Sequence, residues 1–85
     1  MKIILSAHAK ERMKERRIAE YIVHTALLQP EKVEFDKTAR NRYVAKRIFS
    51  QAGRNNYLLL VVYERTPLEI EVITVISTSK INKYF

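Results

Sequence analysis

The chain has no cysteine and no tryptophan, only one glycine and two prolines. The missing cysteine rules out a disulfide framework, thiolate metal sites and a cysteine nucleophile. With Gly53 as the single glycine, a glycine-rich phosphate loop cannot be built. Histidine occurs twice, at His8 and His24, and two separated imidazoles without thiols argue against a zinc site. Long apolar runs are absent too. The opening Met1-Lys2-Ile3-Ile4-Leu5 is too short for the core of a signal peptide, and no stretch reaches the span of a bilayer. A cytoplasmic protein without membrane contact is expected. Acid is also scarce, with 9 Asp and Glu against 16 Lys and Arg and a net charge of +7.

What is present is a foldable composition. Hydrophobic residues make up 47% of the 85 positions, which points to one folded domain over residues 1–85. A chain of this size buries only about 60–65% of the surface exposed when unfolded. Any chemistry therefore belongs on an open face or in a shallow groove. The charge is also unevenly placed. From Lys37 to Tyr63 there are cations at Lys37, Arg40, Arg42, Lys46, Arg47 and Arg54 and no acid. A one-signed stretch of that length creates a positive field suited to nucleic acid, although a merely soluble basic surface has the same composition.

Local patterns give an α+β fold. Ser6 is placed to cap a helix over Ala7–Arg17, with Ala9 and Met13 on its inner side. A second amphipathic helix runs from Ile18 to Leu28, with Ile18, Ile22, Val23, Ala26 and Leu27 at helical spacing and Pro30 stopping it. The pattern then turns to strands at Val33–Phe35, Asn41–Phe49, Tyr57–Tyr63 and Ile70–Thr78. Turns are expected at Asp36–Arg40, Gln51–Asn56 and Thr66-Pro67. The expectation is two N-terminal helices packed on a four-stranded antiparallel meander, with Lys2–Leu5 as a candidate extra strand.

His8, Arg12 and Arg16 recur every four residues and form one row along the first helix. An imidazole exchanges protons near neutral pH, and guanidinium groups hold phosphate. Cleavage of RNA needs a base for the 2′-OH, cations for the developing charge and an acid for the departing 5′-oxygen. The same row also reads as a solvated basic face, with Arg12 and Arg16 pairing to Glu15 or Glu20. The C-terminal stretch carries Thr74, Thr78, Ser79, Lys80, Lys83 and Tyr84. Hydroxyls and lysines at a strand end suit phosphate, and a tyrosine can stack on a base; alternatively Tyr84 simply packs on the sheet. Arg40, Arg42, Lys46 and Arg47, with Thr78, Ser79 and Lys83, are the candidate RNA contacts. His24, inside the second helix, reads as a partly buried or surface histidine and not as a catalyst.

The motif Ser6-Ala7-His8-Ala9-Lys10-Glu11-Arg12-Met13-Lys14-Glu15-Arg16 resembles the S-x-H-A-x-x-R-M-x-x-R opening of a family of small uncharacterised domains. The helix beginning at Ile18, Gln29-Pro30 at its end, the Leu60-Val61-Val62-Tyr63 strand and the closing Ile73-Thr74-Val75-Ile76-Ser77-Thr78-Ser79-Lys80 follow the same course. The layout is similar to RelE/ParE and BrnT toxins of the barnase–colicin–RelE ribonuclease fold group. The ending Val72 to Tyr84 resembles the last strand and tail of BrnT-type toxins. One position departs: Arg17 stands where that family usually has glycine.

The resemblance implies a toxin of a toxin–antitoxin system, an endoribonuclease that inhibits translation by cutting mRNA, on the ribosome or free, and that a cognate antitoxin neutralises. It implies catalysis by 2′-OH attack with no metal or cofactor. His8 would be base or acid, Arg12, Arg16 and Lys80 would stabilise charge, and Tyr84 would stack or move a proton. Two rivals stay open: a non-catalytic nucleic-acid-binding module, and a toxin that acts by binding a protein such as gyrase.

Overall fold

The computed structural model describes residues 2–51 and 53–85, with the side chain of Arg54 outside that description. In chain order the elements are β1 (Lys2–Leu5), α1 (Ala7–Arg16), α2 (Glu20–Leu28), β2 (Lys32–Phe35), β3 (Arg42–Gln51), β4 (Arg54–Arg65), β5 (Glu69–Thr78) and α3 (Ile81–Tyr84). The strands form one sheet in the order β1-β5-β4-β3-β2. The fold is α+β, but the expected four-stranded antiparallel meander is corrected on two points. Lys2–Leu5 is a strand that pairs parallel with Glu69–Val72, so the sheet has five strands and is mixed. A third, short helix follows β5. The candidate strand Lys2–Leu5 is thus present, but its parallel partner, 67 residues away, and the single turn of α3 have no local signature.

Local chemistry explains the helices well. The Ser6 hydroxyl accepts from the Ala9 N–H at 3.0 Å and caps α1. At the other end Arg17 has φ 55° and ψ 45°, its N–H donating to the Lys14 carbonyl, while the Ile18 N–H reaches the Met13 carbonyl at 2.8 Å. This pair of bonds is a Schellman ending with its left-handed residue at Arg17. Glycine is favoured there because it carries no Cβ penalty in that region, which accounts for the residue expected from the resemblance. The second helix starts at Glu20 and not Ile18, because Arg17 and Ile18 are used in this ending.

The strands are longer than their apolar cores. β3 and β4 pair in one register from Arg42↔Glu64 to Phe49↔Tyr57 and, after a register shift, again at Gln51↔Arg54. The hairpin therefore turns between Gln51 and Arg54, with Gly53 at φ 71°, and not over the longer Gln51–Asn56 stretch. Asn55 and Asn56, polar and turn-like in sequence, are carried inside β4 by cross-strand pairing.

β4 lies in the middle of the sheet and is covered on both sides. Leu59, Val61 and Tyr63 meet Ala45, Val72 and Val75 and the helix residues Ala9, Met13, Val23 and Ala26 in the main core. Leu58 and Leu60, pointing the other way, are also buried, on the face where α3 docks. A bulge interrupts the β4–β5 register, which runs Val62↔Thr74 and then Tyr63↔Val72. The extra residue, Ile73, lets both Val72 and Val75 face the helices despite their odd spacing. Sequence periodicity alone shows β5 as apolar on both faces for this reason.

Candidate functional site

The bulge also fixes where α1 lies. Ser6 donates its N–H to the Val72 carbonyl at 3.0 Å and its hydroxyl to the Ile73 carbonyl at 2.8 Å. One residue thus caps α1 and pins its start to the bulged strand. Because the chain leaves β1 at Ser6, β1 covers only Glu69–Val72 of β5. Beyond that point no strand among the described residues pairs with the outer side of β5, and α1 runs alongside.

His8, Arg12 and Arg16 line a cleft of about 320 Å³ together with Thr74, Val75, Ile76 and Ser77. The helical row and the uncovered stretch of β5 form its two walls. A second cleft, of about 360 Å³, is lined by Leu60, Ile76, Ser77, Thr78 and Tyr84. Ile76 and Ser77 belong to both. The opening and closing motifs, far apart in sequence, therefore flank the same strand. A third depression of about 650 Å³ is lined by Asn55, Asn56, Ser79, Ile81 and Asn82. None of these three asparagines is a site candidate in the sequence, because Asn55 and Asn56 carry a turn signature and Asn82 carries none.

The cations of the row remain available. Arg12 has an ion pair with Glu15 at 3.9 Å, with both side chains about half exposed, and such a contact contributes little. His8 and Arg16 are exposed, and no side-chain hydrogen bond holds the His8 ring among the described residues. Lys80 is exposed, and its N–H donates to the Thr78 hydroxyl at 3.1 Å. The Lys83 ammonium lies 5.3 Å from the Tyr84 ring centre. Arg40 is exposed in the turn before β3.

The other candidate contacts are tied into the fold. Arg42 pairs with Glu64 at 2.8 Å directly across β3 and β4. Arg47 donates to the Gln29 carbonyl at 2.6 Å and lies over the Phe49 ring. Lys46 is only 8% exposed; its ammonium donates to the Tyr84 carbonyl at 2.7 Å and pairs with Glu34. That bond and the adjacent positive charge hold the Glu34 carboxyl below its ordinary range. Residues 42 and 46 face the α3 side of the sheet and residue 47 the helix side, so the basic run does not form one surface. His24 lines a separate cleft with Lys2, Ile3, Ile4, Leu5, Lys10 and Glu20.

Among the described residues no group of three or more His, Asp or Glu side chains converges as a ligand set, and no helix is long and apolar enough to cross a membrane. Fold and clefts together define a small basic α+β domain with a cationic groove along a partly uncovered strand. The chain belongs to the family described as Domain of unknown function (DUF4258), which matches residues 5–77. That span holds α1, α2, the sheet from Leu5 to Ser77 and the His8 cleft, but not the end of β5 at Thr78 or α3. No curated protein and no solved structure matches the chain.

Proposed function

We propose that the chain is a ribonuclease of the toxin–antitoxin kind, related in layout to RelE and BrnT toxins, which cuts RNA in the groove between α1 and β5. The observation that carries this reading is the single cleft lined by His8, Arg12 and Arg16 against Thr74–Ser77. An imidazole and two guanidinium groups line one cleft of about 320 Å³, large enough for a phosphate and part of its nucleotide. The 2′-oxygen of RNA attacks the adjacent phosphorus and the bond to the 5′-oxygen breaks, leaving a cyclic phosphate and a free 5′-hydroxyl. His8 takes or supplies a proton, while Arg12, Arg16 and Lys80 offset the charge on the phosphorane. Tyr84, across the Ile76–Ser77 ridge, stacks on a neighbouring base. Ser79, Lys83 and Arg40, all exposed, and the half-buried Thr78 remain the candidates for phosphate contact, in the cytoplasm, with a cognate antitoxin as partner.

The absence of a group orienting the His8 ring favours a second reading, a binding groove without a poised base. Cleavage assays with purified protein and single-stranded RNA separate the two. His8→Ala should lower the rate by about a hundredfold to ten-thousandfold while binding changes little. Cyclic-phosphate ends are the expected product. Salt-sensitive binding without any cleavage by the wild type establishes the second reading, and an equally active, folded His8→Ala protein removes His8 from the mechanism.

A further inference from the structure

The sheet ends at β2, opposite the edge that carries the groove. All of Lys32, Val33, Glu34 and Phe35 are exposed. The Asp36 N–H donates to the Arg42 carbonyl at 2.9 Å, continuing the register Lys32↔Lys46 and Glu34↔Val44. Residues 32, 34 and 36 are thus the positions that bond inward to β3. In an antiparallel ladder the intervening residues direct their N–H and C=O the other way. Val33 and Phe35 therefore present free main-chain donors and acceptors outward, and among the described residues nothing pairs with them. Their side chains are 47% and 57% exposed, with Leu28 nearby in sequence at 72%. Phe35 also ends an aromatic row, edge-on to Tyr43 at 5.4 Å, which stacks on Tyr63 at 5.5 Å.

An edge with open main-chain groups and exposed apolar side chains is a template for another strand. The charge order says which strand fits. If β2 lies antiparallel to a second β2 with Val33 opposite Val33, Lys32, whose ammonium also holds the Phe85 carbonyl, faces Glu34 of the other copy, which also pairs with Lys46, and Glu34 faces Lys32. Both opposite-charge pairs lie on one face, and the two valines meet on the other, with Phe35 diagonal to the partner's Val33 and within aromatic reach. We propose that the chain forms a symmetric dimer through β2, joining two sheets into one of ten strands. A closed two-fold contact of this kind uses the same patch twice and leaves no edge at β2 for further growth. The α1–β5 grooves lie at the two far ends and stay open.

Sedimentation velocity over about 5 to 500 µM tests the dimer, since self-association depends on concentration. The wild type should approach twice its 10.1 kDa mass. Val33→Pro removes an N–H that bonds nothing among the described residues, a change tolerated on an edge strand, and should give a monomer with wild-type circular dichroism. Should proline disturb the fold, Val33→Lys sets like charges opposite each other at the two-fold and must give the same monomer. A wild type that stays at 10.1 kDa throughout, or a folded Val33 variant that still dimerises, overturns the proposal.

Discussion

Lys46 is the one buried charged residue among those described, and it holds α3 to the sheet. Its stem lies on the face that also buries Leu60, its register partner on β4, while Lys32 on the neighbouring strand donates to the Phe85 carbonyl at 2.7 Å. The two lysines thus cap the end of α3, where cations complement exposed carbonyls. Lys46→Met keeps the length of the stem and removes the ammonium. Glu34 is about half exposed and regains water, so global stability should move by no more than about 1 kcal/mol. The bond to the Tyr84 carbonyl is lost, and a hydrogen bond from a charged donor contributes about 1.5–3 kcal/mol. Opening of the α3 segment should therefore become about tenfold more frequent, or more. Lys46→Ala removes the methylene, sulfur and methyl that methionine keeps, three groups at about 0.8 kcal/mol each, and should lower stability by about 2.4 kcal/mol beyond the methionine variant. In a domain of this size that is a fall in Tm of about 10 °C or more. Amide exchange of Lys83–Phe85 measures the segment, and thermal unfolding measures the whole. A methionine variant with unchanged exchange in α3, or one that costs as much as alanine, refutes the account of Lys46 as a latch.

Arg17→Gly should raise stability by about 1 kcal/mol, because the position is left-handed and non-glycine residues are strained there; an unchanged Tm would show that the strain is absent. Glu34 and Asp36 are both held below their ordinary range, Glu34 by Lys46 and Asp36 by the Thr38 hydroxyl and N–H. Their contribution is present at neutral pH and fades with acid, below about 4.5 for Glu34 and below about 3.8 for Asp36, so urea midpoints of Glu34→Gln should decline less steeply with acid than those of the wild type, and parallel curves would contradict this. Arg12→Ala and Arg16→Ala should each reduce the salt slope of RNA binding by about one. Arg47→Ala, whose side chain holds Gln29, should lower Tm and leave that slope alone; the reverse pattern would move the RNA surface off the groove.

What the sequence determined by itself is local. Ser6 as a cap, Ala9 and Met13 as the inner side of α1, the stop at Pro30 and the centre of β4 all follow from contacts within a few residues or from one strand's hydrophobic content. The row His8-Arg12-Arg16 was legible for the same reason, since helical spacing alone aligns it. Tertiary structure decided what that row faces. The parallel pairing of β1 with β5, the bulge at Ile73 and the grip of Ser6 on two carbonyls across it join residues about as far apart as the chain allows, and no period or propensity encodes them. Nor could charge counting separate the free cations from the engaged ones. Arg42, Lys46 and Arg47 look alike in sequence, but strand alternation sends Arg47 to one face and its neighbours to the other, where Glu64, Glu34 and the Tyr84 carbonyl take them up. A cation becomes a binding residue only if folding leaves it without an internal partner, and that depends on which residues the whole chain brings beside it.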